Sequence, residues 1–76
     1  MISVTEHGYL IVIERGAGNF GAWALDLPGC VAVGDTIEEC EREMREAIAF
    51  HIEGLRKDGE PVPEPTTVAA AVVEIA

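Results

Sequence analysis

The sequence predicts an α+β domain whose elements run strand, strand, strand, helix, strand, with one helix on one face of the sheet. Three observations predict it. Short β-branched and aromatic runs alternate with Gly and Pro punctuation over residues 9–34. After Asp35 the apolar spacing changes from two to three and four. A proline-rich connector, PVPEP at residues 61–65, then separates the helical stretch from a second β-prone segment.

The first strand is YLIVIER, residues 9–15, bounded by Gly8 and by the hairpin loop of residues 16–19. FGAWALDL, residues 20–27, resumes the extended pattern. Alternation puts Phe20, Ala22 and Ala24 on one face and Trp23, Leu25 and Leu27 on the other. Leu27-Pro28-Gly29-Cys30 reads as a type II turn, because proline presets φ at its first central position and glycine accepts positive φ at its second. CVAVGD then supplies a short third strand.

Thr36 followed three residues later by Glu39 is a capping box, and the acids crowded into this first turn suit the positive end of a helix dipole. Ile37, Cys40, Met44, Ala47, Ile48, His51 and Leu55 form one apolar stripe, with Arg56 and Lys57 in the last turn and Asp58-Gly59 as the stop. TTVAAAVVEIA, residues 66–76, is expected to be the last strand. Its two faces are almost equally apolar: Thr67, Ala69, Ala71, Val73 and Ile75 on one, Val68, Ala70 and Val72 on the other. One helix covers one sheet face only, so the other requires burial against an identical subunit or another protein. A homo-oligomer, dimer or tetramer, is expected.

At 76 residues the chain buries only about 60–65% of its unfolded surface, which also favours a partner. Its 49% hydrophobic content excludes a disordered acidic tail. The net charge of −9 disfavours direct contact with nucleic acid or anionic lipid and steers the domain toward a basic protein surface. The N-terminus lacks the basic region and apolar run of a signal peptide or membrane span, so a cytoplasmic location is expected. Cys30 and Cys40 lack Cys-x-x-Cys spacing and are read as reduced, small apolar residues.

The stretch LDLPGCVAVGDTIEEC carries the carboxylates Asp26, Asp35, Glu38 and Glu39, and such groups can hold Mg²⁺ or do acid–base work. Asp35, Glu38 and Glu39 already have helix-end roles, which leaves Asp26 unassigned. His51 lies within the apolar stripe without a nucleophile in a recognisable context, since the only serine is Ser3; it reads as structural or interfacial, and His7 carries no signal. Tyr9 and Trp23 lack the nearby positive charge of a base-stacking platform and read as core or interface residues. RGAGNFG has no following lysine or helix, so it is a hairpin loop and not a phosphate cradle. No catalytic, cofactor-binding or metal-ligating residue is assigned, and no enzymatic activity is expected. A Mg²⁺-dependent nuclease centred on Asp26 is the distant alternative.

As an ordered set, several residues resemble the N-terminal domain of HicB-type antitoxins: Asp26-Leu27-Pro28-Gly29-Cys30, Gly34-Asp35-Thr36 with Glu39, Ala47, His51, Asp58-Gly59-Glu60, and Pro61, Pro63 and Pro65. Each piece alone is weak, but together they cover nearly the whole chain. The resemblance implies a partial RNase H-like fold, a curved antiparallel sheet without the nuclease's working carboxylates. It also implies an antitoxin of a type II toxin–antitoxin system, silencing a small basic mRNA-cleaving toxin of the HicA type. Such antitoxins often carry a C-terminal DNA-binding segment, whereas this sequence stops at Ala76. A single domain over residues 1–76, with no DNA binding by this chain alone, is therefore expected. The rival reading is a stand-alone homo-oligomeric regulatory or scaffolding domain.

Overall fold

The structure, a computed structural model, describes residues 8–75; Ser3 and His7 lie outside them. Strand β1 (Ile11–Arg15) reverses through residues 16–19 into β2 (Phe20–Ala24), the reversal closed by Gly16 N–H donating to the Asn19 carbonyl at 2.8 Å. The Pro28-Gly29 turn follows as expected. Cys30 N–H donates to the Leu27 carbonyl at 3.1 Å, and Gly29 sits at φ 84°, a left-handed conformation that glycine adopts without a Cβ penalty. Strand β3 (Val31–Gly34) completes an antiparallel sheet in the order β1-β2-β3.

Register decides which side chains meet the helix. Ile13, Ala22 and Ala32 form one cross-strand row, with Ile11 opposite Ala24 and Phe20 opposite Gly34. Ala22, Ala24, Ala32 and Gly34 are small, which lets α1 (Ile37–Lys57) lie close to the sheet. Cys40, Met44 and Ile48 of the helix fill the core together with Tyr9, Ala22, Ala24, Leu27 and Cys30. The closest approach is at Gly34, where a Cβ atom would stand 2.6 Å from the Cys40 backbone nitrogen and 2.9 Å from its Cα. Among the described residues, no polar or charged side chain is buried.

Both helix ends follow from local sequence. Thr36, in extended conformation, accepts the Glu39 N–H at 3.0 Å through its hydroxyl oxygen. Glu39 reaches back one residue further than in the usual box and accepts the Asp35 N–H at 3.1 Å. At the other end Gly59, φ 71°, donates to the Arg56 carbonyl and Glu60 N–H donates to the Leu55 carbonyl, a Schellman closure. Thr36→Ala removes the acceptor for an orphan helix N–H. It should destabilise by about 1 kcal/mol, and equal melting curves for variant and parent would contradict the cap's role.

Three expectations are corrected. Residues 58–75 contain no strand, although residues 66–76 were expected to form one: a strand requires a hydrogen-bonded neighbour, and this segment meets none. Strand β2 ends at Ala24 instead of running to Leu27, and Leu27 belongs to the core, fully buried, not to the face of Trp23. The turn in which Leu27 N–H approaches the Ala24 carbonyl at 3.4 Å breaks the alternation and swings the side chain inward. Ile37 is half exposed despite its place in the stripe, since it opens the helix beyond the sheet's cover.

Candidate functional site

Asp26 has an assignment that sequence spacing did not provide. Its Oδ2 accepts the backbone N–H groups of Thr66 at 3.1 Å and Thr67 at 2.8 Å, while its Oδ1 accepts their hydroxyls at 3.2 and 3.1 Å. The carboxylate therefore anchors the chain beyond the proline connector to the turn after β2. The Thr67 N–H is the main cause holding its pKa below the ordinary value, with partial desolvation opposing and the other three donors assisting. Four donors thus converge on the two carboxylate oxygens. Tyr9 strengthens the same attachment, its hydroxyl donating to the Pro63 carbonyl at 2.5 Å.

The anchor is pH-sensitive with a definite sign. A carboxylate whose folded pKa is depressed stabilises the attachment above its unfolded pKa of about 3.9 and loses that contribution as pH falls through the lower folded value. Limited proteolysis within residues 60–70 should thus accelerate below about pH 4. Asp26→Ala should accelerate it at neutral pH, by roughly tenfold through more frequent local opening. Unchanged cleavage in the variant would remove the anchor's significance.

Elsewhere the expected site residues remain separate. Asp35, Glu38 and Glu39 lie at the helix start, and His51 is half-buried on the helix, its side chain making no hydrogen bond among the described residues. Cys30 and Cys40 are both free and buried; burial pushes both thiols up, with the Glu39 charge adding to the effect at Cys40. Among the described residues, no three His, Cys, Asp or Glu side chains gather as a metal site, and no helix is long and apolar enough to cross a membrane.

What the structure does bring together is surface. Val12, Trp23 and Val31 form a row across all three strands on the face away from the helix, with Val33 in the next row opposite Gly21. Val31 and Val33 are 65% and 66% exposed, and Trp23 and Leu25 are more than one-third exposed. Sequence alternation foretold this face. Phe50, 79% exposed on the helix, went unremarked because it falls outside the apolar stripe. Acids dominate the first half of the helix: residues 35–46 hold Asp35, Glu38, Glu39, Glu41, Glu43 and Glu46 against Arg42 and Arg45. An ion pair from Arg45 to Glu41 at 3.4 Å is solvent-exposed and contributes little. A shallow groove of about 640 Å³ runs between the helix and the proline connector, lined by Tyr9, Ile48, Ile52, Arg56, Pro63 and Pro65 among others. Nothing in it pairs a nucleophile with a base.

Known proteins are similar to this sequence. It is 38% identical over 60 residues to an uncharacterised 14.9 kDa protein from the rep-hol intergenic region of Haemophilus phage HP1, covering 79% of this chain and 45% of the phage protein. A UPF0150 protein of Synechocystis sp. is 36% identical over 59 residues, 76% of this chain and 75% of its own length. The chain thus spans less than half of the phage relative and three-quarters of the cyanobacterial one. No solved structure is significantly similar to it. The family model of the HicB-like antitoxins of bacterial toxin–antitoxin systems matches residues 9–75, from the buried Tyr9 through the Asp26 anchor to the C-terminal segment, and the chain belongs to that family.

Proposed function

We propose that the protein is the antitoxin of a type II system, and that it binds and neutralises a small basic mRNA-cleaving toxin of the HicA type without itself catalysing a reaction. The family match over residues 9–75 carries the reading. Two features support it: the net charge of −9 complements a basic RNA-cleaving surface, and the one candidate catalytic acid, Asp26, is engaged by Thr66 and Thr67. The fold reading that goes with it is a partial RNase H-like domain, supported by three antiparallel strands in sequential order with a helix on one face. The protein then acts in the cytoplasm, where such a toxin meets mRNA, and the acidic surface leaves DNA binding out of this chain's role.

The test is co-expression with a small basic protein encoded beside it. Formation of a stable complex and restored growth are expected. Absence of both overturns the antitoxin role. A second reading, a stand-alone homo-oligomeric regulatory or scaffolding domain, is favoured by the uncovered row Val12, Trp23 and Val31. The two separate on one result: self-association without any neighbouring toxin gene supports the second. Under either reading we infer a dimer or tetramer, since a sheet with one bare apolar face gains from a second layer.

A further inference from the structure

Residues 68–75, Val-Ala-Ala-Ala-Val-Val-Glu-Ile, are β-prone and nearly uncharged, with Glu74 the single ionisable side chain. Past the Asp26 anchor they form no hydrogen bond with any described residue. Val68, Val72, Val73 and Ile75 are 72–87% exposed. The molecule's long axis, 47 Å, exceeds the roughly 32 Å that a 21-residue helix spans, in keeping with a segment that extends beyond the helix-and-sheet body. Its anchorage lies near the start of β1, since Pro65 packs against Gly8 and Tyr9 holds Pro63. Among the described residues strand β1 is an edge, paired only with β2. An unpaired apolar segment and an unpaired strand edge in one small protein are complementary halves of a strand-addition contact.

We propose that residues 68–75 of each copy form a strand on the free β1 edge of a second copy, giving a twofold dimer with two four-stranded sheets. Two observations select a second copy as the occupant. The segment is fastened near the start of its own β1 yet leaves that edge unpaired and runs out from the body, which puts it within reach of the same edge on another copy. Its near neutrality matches another copy of itself, whereas a basic partner is drawn to the acidic residues 35–46. Reciprocity doubles each contact, as an isologous interface requires. The proposal rests on the self-association reading and is independent of any toxin.

Val72→Pro tests it, because proline removes a ladder N–H in a segment whose loss leaves the core untouched. Sedimentation of the 76-residue chain at micromolar concentration should show a dimer, and the variant should dissociate at least tenfold more readily with an unchanged helix signal. In a mixed isotope-labelled sample, Val72 and Val73 methyl groups should show contacts to β1 of the other copy. A variant that dimerises as tightly as the parent overturns the proposal and leaves self-association through the sheet face standing. A monomeric parent overturns both. Methyl contacts confined within one chain, with the segment folded back on its own β1, also overturn it.

Discussion

Gly34→Ala is expected to lower the melting temperature by roughly 10–20 °C, the product of a few kcal/mol of overpacking and the steep response of a domain this small. The reason is space and not backbone freedom. The new Cβ would meet the Cys40 nitrogen at 2.6 Å and Cα at 2.9 Å, both backbone atoms of the helix's first turn, which no side-chain rotation can relieve. Relief requires the helix to lift from β3, and that loosens Cys40 and Met44 beneath it. Gly54→Ala supplies the contrast: its Cβ meets nothing within 4 Å, and a helical alanine should stabilise by about 0.5–1 kcal/mol. Thermal melts at equal protein concentration read both, and a Gly34→Ala protein as stable as its parent would refute the packing argument.

Met44→Ala is expected to remove about 2–5 kcal/mol, against a total stability of roughly 4–11 kcal/mol for a chain of this length. Met44 is fully buried at the middle of the core-facing stripe, between the helix and the small sheet residues. Because Ala22, Ala24 and Ala32 offer little side chain to collapse inward, the cavity should persist and the loss fall toward the upper end. Met44→Leu, close in volume, should cost less than about 1.5 kcal/mol. Urea midpoints at constant slope measure the difference, and equal midpoints for the alanine and leucine variants would contradict it.

Legibility in the sequence followed the reach of each interaction. The Thr36–Glu39 cap, the Gly59 closure and the Pro28-Gly29 turn span three to five residues, and all three stand where local patterning put them. That one sheet face is bare was also readable, but alternation in β2 only separates Trp23 from Ala22 and Ala24 and leaves open which of the two sides the helix covers. Leu27 was misplaced because alternation was carried past Ala24 into a turn, where its geometry no longer holds. Asp26 stayed unassigned because its donors lie 40 and 41 residues away, beyond any window of spacing. The strand expected at residues 66–76 failed for a related reason: propensity describes a segment, whereas a strand belongs to a pair.

The Asp26 anchor also bears on the order in which the molecule assembles. The hairpins and helix of residues 9–57 close through short loops, whereas joining Thr66 and Thr67 to Asp26 bridges about forty residues and part-buries only Val62 and Pro65 among the connector's apolar side chains. The body should therefore condense first and the connector dock last, making residues 60–67 the first cooperative unit to detach in native-state hydrogen exchange. A molecule built this way has a permanent interior and a fastening that opens and closes many times within the lifetime of a single fold.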